Sequence, residues 1–206
     1  MNLIVIKLGG SLMGSSELPS WLNSIESVSE NSNIIIVPGG GKFADSVRNL
    51  QTKYQFDDLV AHKMALLAMC QYGYLLAGMN SKLKIIDDID VITSNLDKQL
   101  PLLWLPLGLC DDNSEIPASW DFTSDSIALW LASKLTADKL ILVKSKTLSS
   151  NKSLIINHIN NDDLDKGFQE LINNYSGEIS FMEKSLYSQL SKKTSPVHAP
   201  LQKSNF

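Results

Sequence analysis

Two short apolar runs, Leu3 to Leu8 and Ile34 to Val37, each stop at consecutive glycines: Gly9 and Gly10 after the first, and Gly39 to Gly41, following Pro38, after the second. Runs of four to six aliphatic and β-branched residues bounded in this way read as buried strands. Phe43 to Leu50, just past the second glycine group, has helical spacing. The chain therefore repeats one unit, strand, glycine turn, helix. A helix between two strands carries the chain back to the edge it started from, so successive strands run parallel and both faces of their sheet are covered.

The rest of the chain continues the alternation. Apolar positions from Asp57 to Met79, among them Leu59, Met64, Leu67 and Leu75, predict a long and mostly buried helix whose start is marked by Asp57 and Asp58. Leu83 to Ile86, Leu102 to Leu105 and Leu140 to Val143 read as strands, and Ser124 to about Leu135 as a helix. Cys110 to Ala118 reads as a surface loop and Asp162 to Tyr175 as a helix, followed by a segment of mixed character and a tail after Lys192 expected to be mobile. The fold expected is α/β, a three-layer αβα sandwich around a mainly parallel central sheet. With 206 residues, 44% of them hydrophobic, the chain suits one domain, or one domain of two lobes, with a substantial core.

Charge and cysteine usage narrow the function classes. The net charge is −4 and the basic residues form no long block, which argues against general nucleic-acid binding and leaves anions to be met by local features. Cys70 and Cys110 are far apart and set among apolar residues, as buried thiols are, which favours a reducing, cytoplasmic setting. No apolar run is long enough to span a bilayer, and Lys7 interrupts the first apolar segment too early for a secretory leader.

Three motifs carry chemistry. Lys7-Leu8-Gly9-Gly10-Ser11 ends the first strand, where glycines let backbone N–H groups approach a phosphate and Lys7 offers a mobile cation. Taken alone, these residues also read as a tight turn beside a solvated lysine. Gly39, Gly40 and Gly41 repeat the arrangement, and three adjacent glycines cost conformational entropy that close backbone approach would justify. Neither loop has Walker A or dinucleotide-fingerprint spacing. Trp120 to Ser126 precedes a helix; its Thr, Ser and Asp residues suit helix capping, or Asp125 projects into a site and orients cations.

Taken in order, KLGGS near the start, PGGG after the second strand and TSDS before a later helix resemble the amino acid kinase superfamily, over roughly the first three quarters of the chain. The patterns at Pro38 to Arg48, His62 to Ala65 and Trp120 to Ser126 are most similar to the 5-(aminomethyl)-3-furanmethanol phosphate kinases of methanofuran biosynthesis. The resemblance implies an ATP-dependent, Mg2+-assisted kinase that phosphorylates a small phosphorylated acceptor, with an acceptor-binding lobe to about residue 115 and a nucleotide-binding lobe from about 116. It implies Lys7 and Asp125 as catalytic residues and Gly9, Gly10 and Ser11 at the nucleotide; Lys144, as a further catalytic cation, and Ser145 are also expected at the nucleotide, although the chain departs from the relatives there. Gly39, Gly40, Gly41, Arg48, His62 and Thr123 would meet the acceptor, Asp125 organising Lys7. It also implies a homo-oligomer built near the long helix. Two departures stand out. Lys144 to Leu148 occupy the place of the acidic loop of relatives, so Lys144 is either a second cation at the transferring group or a solvated strand end. Glu183 to Tyr187 replace an Asn, Gly, Arg, His, Pro series.

Overall fold

The computed structural model describes residues 1–111, 115–150 and 152–194. Six strands, Leu3–Leu8 (β1), Asn33–Pro38 (β2), Lys84–Ile86 (β3), Leu102–Trp104 (β4), Lys139–Lys144 (β5) and Glu178–Glu183 (β6), form one sheet. Their order is β3-β4-β2-β1-β5-β6, and every adjacent pair is parallel. Helices connect and cover them: Leu18–Ser29 (α1), Gly41–Tyr54 (α2), Asp58–Met79 (α3), Ile89–Ile92 (α4), Ser124–Lys134 (α5), Lys152–Asn160 (α6), Gly167–Leu171 (α7) and Leu190–Thr194 (α8). The α/β sandwich with a parallel sheet is therefore as the alternation predicted.

The pleat sends the buried strand residues alternately to two cores. Val5, Ile35, Val37, Leu140 and Leu142 face α5, α6 and α7. Ile4, Ile6, Ile34, Ile36, Ile141 and Val143 face α1 and α8, where Trp21 is fully buried. α3 serves both cores, giving Leu66 and Met69 to the first and Cys70, Tyr72 and Leu76 to the second. The same parity decides where the lysines go. Lys7 follows Val5, and Lys144 follows Leu142, so both lie on the α5 face at the carboxyl ends of adjacent strands. A slip of one residue would move them to the opposite face. Asp138 holds that register, its Oδ2 accepting from the Leu3 N–H at 2.8 Å while its own N–H donates to the Leu3 carbonyl at 2.9 Å.

Several expectations are corrected. Asp162 to Tyr175 is not one helix: residues 161–166 form an irregular stretch, α7 has five residues, and a 3-10 turn, Ile172–Asn174, follows. The Ser-, Asn- and Lys-rich stretch before it contains α6, and the mixed segment contains β6. In α3, capped by the Asp57 carboxylate on the Val60 N–H at 2.8 Å, Leu59, Leu67 and Leu75 are exposed rather than buried. The supposed surface loop begins as a 3-10 turn, Pro106–Asp111, and tucks Ile116 into the core. Cys70 is buried and Cys110 half-buried, with no disulfide between them. Lys193 and Thr194 close α8, and the remainder of the tail lies outside the described residues. No helix among the described residues is long and apolar enough to cross a membrane.

Candidate active site

Three side chains meet under the first turn of α5. The Lys7 ammonium lies 2.9 Å from Asp125 Oδ1, and the Lys144 ammonium lies 2.5 Å from Asp125 Oδ2. All three are nearly shut off from solvent, the Asp125 side chain being 7% exposed. Lys144 also donates to the Asp163 carbonyl at 2.6 Å. Burial alone would raise the Asp125 carboxyl, but the two ammonium groups overcome it and hold the group down at about 2. For Lys144 burial is the larger influence, and its ammonium is held below the usual lysine range despite Asp125. Asp125 is thus an ionised hub between two cations, not a helix cap, and Lys144 is not a solvated strand end.

Two cavities lie along the first glycine loop, and Lys7 and Lys144 line one of them. The smaller, about 250 Å³, is lined by Lys7, Gly9, Gly10, Ser11, Lys144, Ser145, Lys146 and Asp163. The larger, about 500 Å³, is lined by Gly10, Ser11, Gly40, Gly41, Arg48, His62, Trp120 and Thr123 among others. Gly10 and Ser11 belong to both, so the first glycine loop is the wall between them.

The second loop touches the first. A Cβ on Gly10 would fall 2.4 Å from the Gly41 Cα, and one on Gly39 would fall 2.8 Å from the Gly10 nitrogen. Side chains are excluded here because two backbones occupy the space, and Gly41 adds a φ of +51° that favours glycine. Gly39 therefore shapes the contact between the loops rather than lining the larger cavity. Arg48 stacks over the Trp120 ring at 4.4 Å, and the indole N–H is held by Gln51 Oε1 at 2.6 Å. Burial holds the His62 imidazole below the usual histidine range.

Thr123, expected at the acceptor, lines the larger cavity, but its hydroxyl and its N–H both donate to Asp165, at 2.6 and 2.8 Å. Asp165 escaped sequence reading altogether, because its partners lie about forty residues away. At the changed carboxyl-terminal segment, Glu183 accepts from the Thr147 hydroxyl at 2.5 Å and from the Ser185 hydroxyl at 3.1 Å. The Lys184 carbonyl accepts from the Trp21 indole at 2.7 Å.

Residues 2–182 match the amino acid kinase family. The chain belongs to that family. Among relatives, [5-(aminomethyl)furan-3-yl]methyl phosphate kinase of Methanocaldococcus jannaschii is 26% identical over 140 residues, which is 67% of this chain and 63% of that protein's length. Two uridylate kinases share the family fold: that of Archaeoglobus fulgidus, TM-score 0.69 at 18% identity over 93% of this chain and 96% of its own, and that of Ureaplasma parvum, TM-score 0.70 at 15% identity over 94% and 96%. N-acetylglutamate synthase of Neisseria gonorrhoeae, TM-score 0.62 at 11% identity, matches 92% of this chain through 57% of its own.

Proposed function

We propose that this family member is an ATP-dependent kinase whose acceptor is a small phosphate monoester, 5-(aminomethyl)-3-furanmethanol phosphate, converted to its diphosphate. The observation that carries the reading is the buried Lys7–Asp125–Lys144 assembly, whose two lysines line the smaller of two cavities that share Gly10 and Ser11. Phosphoryl transfer asks for positioned positive charge between donor and acceptor and for little covalent chemistry. Two lysines held by one ionised carboxylate supply that charge with no reorganisation when the group moves.

The smaller cavity suits the donor. Lys7, Lys144 and Lys146 line it together with Asp162 and Asp163, the latter paired with Lys146, and the backbone of Gly9 to Ser11 forms one wall where N–H groups can meet phosphate oxygens. ATP bound there would donate its γ-phosphoryl group to an oxygen of the acceptor's phosphate and leave as ADP. Magnesium would enter on the nucleotide's phosphates; among the described residues no group of three or more His, Cys, Asp or Glu side chains forms a cage for it. On the other side, Arg48 and His62 offer the larger cavity a guanidinium and an imidazole for the acceptor's phosphate. That phosphate is already ionised near neutral pH, so Asp125 need not remove a proton and serves to hold the lysines in line.

The acceptor follows from the resemblance at residues 38–48, 62–65 and 120–126 and from the relative's name. The apolar side chains exposed along α3 fit a homo-oligomer. The test is ADP release with the furan phosphate, UMP, isopentenyl phosphate and an acylamino acid as separate acceptors. Turnover with the furan phosphate well above the others is expected, and faster turnover with another acceptor would reassign the substrate. A noncatalytic nucleotide-binding subunit is the competing reading, favoured by Glu183 at the changed carboxyl-terminal segment. ATP binding without turnover on any acceptor would establish that one instead.

A further inference from the structure

Helix α5 is capped from outside itself. Thr123, at its N-cap position, makes no side-chain cap bond to the helix's own backbone. The Asp165 carboxylate takes that place: Oδ2 accepts from the N–H groups of Thr123 at 2.8 Å and Ser126 at 3.2 Å and from the Thr123 hydroxyl at 2.6 Å, while Oδ1 accepts from the Ser126 hydroxyl. The Phe168 N–H closes on Oδ1 at 3.1 Å and so holds Asp165 in turn. These bonds bracket Asp125, which lies between Thr123 and Ser126.

The same short stretch grips the neighbouring strand end and the approach to α5. The Asp163 carbonyl receives the Lys144 ammonium at 2.6 Å, and the Gly167 N–H donates to the Asp121 carbonyl at 2.7 Å. Residues 163–167 therefore contact both α5 and Lys144, which meet at the hub.

We propose that Asp165 is a positioning residue for the Lys7–Asp125–Lys144 assembly: its bonds to Thr123 and Ser126 fix the first turn of α5 so that Asp125 faces both lysines. This rests on the kinase reading for its effect on rate, though not for its effect on Lys144. Lys144 is in contact with the Asp125 carboxylate and the Asp163 carbonyl, and the charges of Lys7 and Asp165 act on it from further off. Asp163 and Lys146 line the cavity with it. Burial and Lys7 press the Lys144 ammonium toward its neutral form, and Asp125 and Asp165 oppose them. Asp165 is itself held above the usual carboxylate range, first by burial and then by Asp125. Two carboxylates near one another are tolerated because two lysines surround Asp125 and four donors, two on Thr123 and two on Ser126, meet Asp165.

Asp165→Asn keeps the size and an acceptor oxygen and removes the charge. In protein labelled with 13C at lysine Cε and free of ligands, the Lys144 resonance, assigned by its loss in Lys144→Arg, should titrate at lower pH in Asp165→Asn than in the parent. With ATP and the furan phosphate, kcat should fall by about 10- to 100-fold, the range in which orienting partners of a site's own residues act, with smaller changes in either KM. The alkaline limb of the kcat profile should move to lower pH as Lys144 loses its proton sooner. Ser126→Ala removes one strut and keeps the charge, so kcat should fall less and the Lys144 midpoint should stay. An unchanged Lys144 midpoint in Asp165→Asn overturns the proposal, and so do equal shifts in both variants, which would indicate general loosening. If the parent turns over no acceptor, the kinase reading fails and the Lys144 titration alone decides the role of Asp165.

Discussion

Replacing Asp125 with asparagine removes the negative charge that Lys7 and Lys144 share and leaves the shape of the site almost unchanged. At 2.9 Å the Lys7 pair alone has a gross attraction of about 6 kcal/mol at an effective dielectric of about 20, most of it offset by the cost of taking both ions out of water. The net preference for the carboxylate is read from its position at about 2 against 3.8, which corresponds to about 2 kcal/mol. Losing the charge strands two buried ammonium groups, a larger penalty, about 3 to 5 kcal/mol. Urea unfolding at pH 7 should show that drop. Adding Lys7→Met should recover part of it, because one stranded cation is gone.

The sign of the pH dependence is fixed too. Burial already holds Lys144 below its unfolded value, and in the Asn variant the opposing Asp125 charge is gone, so the unfolded chain binds more protons and stability rises with pH up to about 10. The parent instead loses stability as pH falls from the ordinary carboxylate value toward about 2, a loss that the Asn variant lacks. In the ADP-release assay kcat should drop by roughly two to four orders of magnitude, and Asp125→Asn with Lys7→Ala should be little worse than either alone. Near-normal kcat in the Asn variant, or fully additive losses, would refute the hub.

Gly10→Ala should weaken both ATP and acceptor binding by calorimetry, because its Cβ would meet the Gly41 backbone at 2.4 Å; selective loss of one ligand would show that the two loops move independently. Arg48→Ala should raise the acceptor KM strongly and the ATP KM little, and undiminished use of the furan phosphate would remove Arg48 from the acceptor site. Burial depresses the His62 imidazole, so it should cost stability as pH falls below about 6.5, and His62→Gln should flatten that slope in thermal unfolding.

The strands and glycine loops were legible because their signals are local. Leu3 to Leu8 and Ile34 to Val37 are short apolar runs with sharp ends, and the order of three motifs identified the family. β6 was not legible: Glu178 and Glu183 bracket a short edge strand whose neighbour, β5, lies some forty residues earlier. Leu164, Phe168, Leu171 and Ile172 have helical spacing, yet Asp165 spends its carboxylate on another helix and the chain turns at Gly167, whose Cβ would strike the Phe122 ring. In α3, apolar residues all around suggested burial, but only part of the helix surface meets the sheet. Lys7 and Asp125 could be paired from the motifs; the engagement of Lys144 required knowing that β1 and β5 are neighbours in matching register.

The central position of β1 also sets a timetable for synthesis. One of its partners, β2, leaves the ribosome almost immediately afterwards, whereas the other, β5, begins at Lys139. At typical elongation rates the open side of Leu3 to Leu8 waits roughly ten seconds for its second neighbour. During that interval the nascent chain displays an unpaired apolar strand edge, the kind of surface that recruits chaperones or another nascent copy. Codon changes that slow translation between residues 40 and 139 should therefore lower soluble yield without altering one residue of the finished protein.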